Sequence, residues 1–272
     1  MTREIFDLLR HYLLYLRNDP VNLFVLGPLW VLVTLLIGLN RSYRYFGAFF
    51  PLWSREMELY RDFFEIDHGT VVDVGANIGV YTLVSLRHAK KVISVEPNPR
   101  VLWRLRLTCR PFKNAVIVNM ALSDSSGKIY LFDHGTTLGA SITRKSPKKE
   151  RISATTLDKL ITALHVEDLT LVKIDTEGAE HLVLKGGGKA LMQQRPMLMI
   201  EYHDNKEKVS NLCKTYGYRW QILREENRSH FPHEHGWIIA IPRSDYIRLT
   251  STRIFPSSTL GSNTTSPKLH DL

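Results

Sequence analysis

Cysteine is scarce: two in 272 residues, Cys109 and Cys213, each in a helical pattern and far apart in the chain. That spacing excludes a disulfide framework and offers no paired metal ligands, so a reducing compartment is expected. Acidic charge is in deficit, with 27 Asp and Glu against 36 Lys and Arg and a formal net charge of +9. Such a balance suits an anionic partner, nucleic acid or a phospholipid surface, although many soluble proteins are as basic. The length is enough for one full α/β core with appendages.

Charge is missing altogether from Pro20 to Asn40, PVNLFVLGPLWVLVTLLIGLN. About 20 apolar residues suffice to cross a bilayer. A cleavable signal is not the reading, because an amphipathic helix (residues 2–17, with Ile5, Leu8, Leu9, Tyr12, Leu13 and Leu16 on one face) comes first and no small-residue cleavage site follows. A span or re-entrant anchor competes with a helix packed on the catalytic domain or lying in the lipid interface. Arg41, Arg44 and Arg55 follow the run and favour a cytoplasmic C-terminal domain. Residues 1–55 are therefore expected to form an N-terminal helical region with a membrane segment at 20–40. The Ser/Thr/Pro-rich residues 249–272 are expected to be a disordered tail.

Thr70 to Thr82, TVVDVGANIGVYT, organises what lies between. A β-branched run ends in a glycine-punctuated turn, after which apolar residues return at helical spacing, giving strand, tight loop and helix. Gly75 and Gly79 suit a backbone that must approach a ligand closely, because a Cβ would be in the way. Asn77 and Val80 occupy the second and third glycine positions of a dinucleotide fingerprint, which is therefore absent. Asp73 ends the strand, where a carboxylate would oppose the phosphates of NAD but suit the ammonium of a methionine moiety. The next strand, Lys91–Val95, ends on Glu96, which is placed to take both ribose hydroxyls. Turn and helix capping is the plainer role for either acid alone. This half resembles the first motif and the acidic second-strand end of class I S-adenosylmethionine (SAM) methyltransferases.

Beyond it the chain alternates: a helix at about 99–108, a strand at 115–120 running into Ala121-Leu-Ser-Asp124, and a β-like excursion at 128–132. A basic loop follows (Arg144, Lys145, Lys148, Lys149, Arg151), then a helix at 156–164 and a strand at 169–174. That rhythm means a doubly wound, mostly parallel sheet, and the antiparallel segments 218–223 and 237–241 close it. Asp124 or Ser123 is placed to meet an adenine amino group. The basic loop is read as exposed over the site, attracting a phosphorylated or lipid-linked substrate or simply aiding solubility. After residue 174 comes Asp175-Thr-Glu177-Gly-Ala-Glu180, three carboxylates opening a helix that Gly186-Gly-Gly188 breaks. A strand at 197–202 then ends at His203.

VVDVGANIGVYT, VISVEPNP, ALSD, TTLDKL, VKIDTEGAEHLVLKGG and IEYH together resemble the FkbM-type methyltransferase family over residues 56 to about 242, within a domain at 56–248. The resemblance implies a Rossmann-like class I methyltransferase fold and SAM-dependent O-methylation of polyketide, sugar or glycolipid hydroxyls. By position it implies Asp73, Gly75, Asn77, Gly79, Glu96 and Asp124 at the cofactor, with Asp175, Glu177, Glu180 and His203 at the acceptor. Of these, His203 is the expected general base and Asp175 the orienting group, because imidazole titrates near neutrality.

An RNA methyltransferase fits the net charge, but the Asn/Asp-Pro-Pro-aromatic block that stacks a flipped base is replaced by Asp175-Thr-Glu-Gly, and three carboxylates repel phosphates. A non-catalytic, membrane-anchored SAM-binding module is expected to have lost Asp73, Glu96 or Asp175, and all three are present. His230, His233 and His235 lack zinc-site spacing, so no metal is expected.

Overall fold

The protein is described by a computed structural model that covers Tyr60, Phe63 and residues 69–133, 140–225 and 235–242. The expected helix at 2–17, the uncharged run at 20–40, most of the helix at 56–66, His230, His233 and the tail at 249–272 lie outside the described residues. No helix among the described residues is long and apolar enough to cross a membrane.

In chain order the strands are β1 (Thr70–Val74), β2 (Lys91–Val95), β3 (Ala115–Val118), β4 (Ala121–Leu122), β5 (Gly127–Phe132), β6 (Lys149–Thr155), β7 (Leu169–Ile174), β8 (Met197–His203), β9 (Tyr218–Glu225) and β10 (His235–Pro242). The helices are α1 (Val80–Leu86), α2 (Pro99–Cys109), α3 (Leu157–Ala163), α4 (Glu180–Gly186), α5 (Gly188–Gln194) and α6 (Lys206–Thr215). Seven strands form one sheet in the order β3-β2-β1-β7-β8-β10-β9. All its pairings are parallel except the two made by β10. The sequence reverses direction between β1 and β7, which makes the crevice beyond their C-terminal ends the ligand position of an open α/β sheet. This is the expected doubly wound α/β fold with its closing hairpin.

Each face of the sheet carries its own apolar layer. Val72, Val74, Val172 and Ile174 pack with α3, α4, α5 and α6. Val71, Leu171 and Met199 pack with α1 and α2 on the other side, together with Tyr60 and Phe63. Strands covered on both faces read as β-branched runs, which is why they are visible in the sequence. Asp73 and Lys173 break that pattern. They lie on the α1–α2 face as direct partners across the β1–β7 ladder, and both are buried.

Three segments differ from expectation. The strand expected at 115–120 stops at Val118, because the Asn119 amide donates to the carbonyls of Glu96 (2.9 Å) and Pro97 (3.3 Å). Ala121–Leu122 then joins a separate three-stranded sheet, β4-β6-β5. The basic stretch is only partly a loop, since Lys149–Arg151 opens β6. Past the glycine break the chain resumes as α5, whose first N–H groups at Lys189 and Ala190 donate to the Asp158 carboxylate at 3.2 and 2.7 Å. That replaces the capping side chain a glycine lacks.

The loop after β1 is wedged against the neighbouring strand ends. Gly75 N donates to Val95 O at 2.9 Å, and Asp175 N donates to Val74 O at 3.0 Å. Gly75 has φ +74°, and a Cβ there would overlap the carbonyl oxygen of Asp175. Gly75→Ala should therefore destabilise the chain by about 2–4 kcal/mol, as overlap and left-handed strain combine; urea unfolding measures it.

Candidate active site

A cleft of roughly 100 Å³ opens beyond the C-terminal ends of β1, β2 and β7, its floor formed by Val74, Gly75, Glu96 and Asp175. The inner side of the small sheet covers it through Leu131, Ala140 and Ile142.

Glu96 stands at the end of β2 with its carboxylate held by two backbone donors, Asn77 N and Asn98 N, both at 2.8 Å. Burial pushes its pKa up to about 7, while the two N–H bonds and Lys173 pull it down and Asp73 opposes them. The stability Glu96 lends is thus present in acid and lost as pH rises through about 7. Asn77 has the left-handed φ of 50° that lets its N–H turn back onto Glu96. A carboxylate fixed in this way, with glycine backbone beside it, fits a ligand presenting adjacent hydroxyls.

Asp73 departs from expectation. Its carboxylate has no solvent exposure and is engaged from beneath the loop by Thr82 Oγ1 at 2.6 Å and Lys173 Nζ at 3.3 Å. It supports the Gly75–Gly79 loop instead of facing into the cleft, because its place in the β1 alternation points it at α1. Asp124 departs too: it is exposed on the turn after β4 and is not among the residues lining the cleft. The cause is the switch of Ala121–Leu122 into the second sheet.

The other wall holds the carboxylate cluster. Glu180 is fully buried, and its Oε1 accepts from Gly178 N (2.9 Å), Thr176 N (3.1 Å) and Thr176 Oγ1 (3.2 Å). Its Oε2 accepts from Asn205 Nδ2 at 2.6 Å, and His203 Nδ1 lies 3.3 Å from Oε1. So much engagement makes Glu180 the frame of the turn, in place of the substrate ligand the sequence suggested. Glu177 is the reachable acid, on a strained left-handed backbone (φ 57°). Two groups from the segment before β6 clamp it: Ser141 Oγ donates to its carbonyl at 2.7 Å, and the Arg144 guanidinium pairs with its carboxylate. Neither Ser141, Arg144 nor Asn205 was singled out for this role by sequence reasoning. Contacts over such chain separations leave no periodic signal.

His203 ends β8 with Nε2 at 3.7 Å from Glu177. Burial opposes its charge, but the Glu180 hydrogen bond, then Glu180, Asp175 and Glu177 by charge, push its pKa up to about 10. The imidazolium is therefore the resting form at neutral pH. Burial also raises the Glu177 carboxyl, helped by Asp175 and opposed by His203 and Arg144. Asp175, Glu177 and His203 each place one ligand atom within 4.8 Å of the others, a spacing that a cation would also accept. In the structure the positive charge here comes from Arg144 and His203.

Because the folded pKa of His203 is raised, its contribution to stability is complete below the unfolded value near 6.5 and lost as pH rises through about 10. His203→Asn should cost about 3 kcal/mol at pH 7, as removal of one partner of a buried pair does. Melting curves should show the deficit shrinking towards pH 10.

A hexuronic acid methyltransferase, AglP of Haloferax volcanii, is 33% identical over 134 residues, which cover 48% of this chain and 54% of the relative. The chain thus matches little more than half of that relative's length. A 2-O-methyltransferase, NoeI of Sinorhizobium fredii, is 24% identical over 63% of this chain and 80% of the relative. Among solved structures, the methyltransferase FkbM of Methylobacillus flagellatus aligns with a TM-score of 0.44 and 17% identity, covering 79% of this chain and 53% of the other. The family model described as "Methyltransferase FkbM domain" matches residues 73–230, more than half of the chain, and the chain belongs to the FkbM methyltransferases.

Proposed function

We propose that the chain is a SAM-dependent O-methyltransferase acting on a hydroxyl of a sugar, glycolipid or other small or lipid-linked acceptor. One observation carries the reading: a single cleft has Glu96 on one side and Asp175 and Glu177 on the other, with His203 behind Glu177 at 3.7 Å. The names of the two relatives, one specifying a hexuronic acid and the other a 2-O position, support a sugar oxygen as acceptor.

SAM, when bound, supplies an electrophilic methyl group on a positively charged sulfur. The chain's tasks are to hold the donor, align the acceptor oxygen behind that carbon and take up the hydroxyl proton. Glu96 and the Gly75–Gly79 loop would hold the ribose and methionine parts, with Asp73 bracing the loop from below. Asp175, at the cleft floor, orients donor and acceptor. His203, backed by Glu180, takes the proton at Nε2, which requires the neutral imidazole. A positive charge entering among the carboxylates favours that form, since like charges lower a cation's pKa. The raised pKa of Glu177 and its place beside Nε2 favour a second reading, in which Glu177 takes the proton and His203 remains a cation that steers the acceptor.

Incubation with labelled SAM and glycan, uronic acid and glycolipid extracts, with and without a chelator, should give one O-methylated product by mass analysis. His203→Ala should slow turnover about 10²–10⁴-fold with SAM affinity kept. A rate that climbs only towards alkaline pH assigns the base to His203; one that climbs through the acid range assigns it to Glu177. Glu96→Ala should weaken SAM by about 1.5–3 kcal/mol, and in the unmodified protein calorimetric affinity should fall below pH 7 as Glu96 protonates. NAD binding in place of SAM would overturn the cofactor assignment. The uncharged run Pro20–Asn40 further motivates membrane attachment of a cytoplasmic catalytic domain. Carbonate extraction leaving the full chain wholly soluble would remove that part.

A further inference from the structure

One buried group has no place yet in this chemistry. Lys173 sits near the end of the central strand β7 with its side chain 2% exposed, the fully buried lysine among the described residues. Its Nζ donates to the Gly75 carbonyl at 3.2 Å. It lies 3.3 Å from Asp73 Oδ1 and 3.4 Å from Asp175 Oδ2, and 4.9 Å from the centre of the Tyr81 ring. Gly75 belongs to the cofactor loop and Asp175 to the acceptor wall, so one ammonium touches both sides of the cleft floor from below.

We propose that Lys173 is the positioning residue that couples the cofactor loop to the acceptor-side carboxylate, holding Gly75 and Asp175 in one fixed register across the β1–β7 boundary. A lysine in a fully covered parallel strand is expensive unless paired, and apolar residues of like volume serve a scaffold as well or better. Here burial works against the charge, while Asp73 first, then Asp175 and Glu201, keep it on and raise the pKa above the ordinary lysine value. The ammonium in turn gives the Asp175 carboxylate a fixed partner on its inner side, leaving the outer side to the cleft. A ligand that pushes on the Gly75 loop therefore moves the group that holds Asp175. The inference rests on the cofactor reading above for its catalytic meaning, but the Lys173–Asp175 link does not require it.

The test uses the full chain. Asp73→Asn/Lys173→Met removes the buried charges as a pair at nearly constant volume. S-adenosylhomocysteine (SAH) and SAM are titrated calorimetrically, and urea unfolding is followed in parallel. The expected result is a folded variant whose SAH affinity falls about tenfold, although neither altered side chain opens onto the cleft. Affinity within twofold of the unaltered chain, with stability kept, overturns the proposal. Should the variant not fold, the ammonium resonance of Lys173 in the otherwise unaltered protein decides. It should shift on Asp175→Asn without any ligand and again on adding SAH; a signal indifferent to Asp175→Asn overturns the coupling. An unaltered chain that takes up neither SAM nor SAH defeats the cofactor reading instead, and the Asp175→Asn comparison still judges Lys173.

Discussion

Crowded negative charge at the C-terminal edge of one sheet is the constraint to which the rest of the structure answers. Asp73 lies near the end of β1, Glu96 follows β2, and Asp175, Glu177 and Glu180 follow the neighbouring β7; three of the five are buried. Isolated carboxylates in such a place would protonate or unfold the edge. Each buried acid has its own remedy. Glu96 is met by two backbone N–H groups, Glu180 by backbone donors, Asn205 and His203, and Asp73 by Thr82 and Lys173. The pKa directions follow from the quality of the remedy. Neutral donors leave the Glu96 carboxyl high, whereas donors and a cation together hold the Glu180 carboxyl low against burial.

That difference divides the labour along the cleft. A carboxylate held by fixed dipoles is suited to hydroxyl recognition, since it keeps lone pairs for a ligand and its donors do not have to move. A carboxylate locked to a histidine is suited to holding that ring's orientation and charge. The small sheet β4-β6-β5 contributes by geometry more than by charge: its apolar side roofs the cleft, and its entry segment carries Ser141 and Arg144 onto Glu177. The strained Glu177 backbone persists because both ends of the residue are held, as strain at a working turn requires.

How much of this the sequence disclosed depends on the range of the interaction that makes each part. The strands of the parallel sheet were legible, because two-sided burial imposes β-branched runs that turns punctuate. Glu96 was legible for the same reason, as a charge at the end of such a run. The orientation of Asp73 was not read correctly, although the β1 alternation already put it on the face of Val71, towards α1. Asp124 stands exposed, off the cleft lining, because pairing of β4 with β6, more than thirty residues later, decides where the chain goes after Val118. Glu180 and Glu177 look alike in the sequence; only the fold separates them, one at a helix start under Asn205 and the other under Arg144. Lys173 had left a signal that went unused, a lysine inside LTLVKI, where a doubly covered strand has no solvent to receive it.

The same logic explains why a buried lysine is retained at the sheet's centre and not at its edge. β1 and β7 are the strands between which the chain's direction of winding reverses, so no single helix covers both of their ends. The loops leaving them, Gly75–Gly79 and Asp175–Gly178, belong to different βα units and meet where Gly75 lies against the Asp175 carbonyl. Hydrogen bonds along the β1–β7 ladder, continued by Asp175 N to Val74 O, fix the backbone but not the Asp175 carboxylate. A cation whose three nearest oxygens come from Asp73, Gly75 and Asp175 extends the register by one step past the ladder. An apolar side chain would fill the same volume without directing either loop. The charge in the strand is thus best understood by what lies above it: two turns at the cleft floor, whose constant separation the proposed in-line transfer requires.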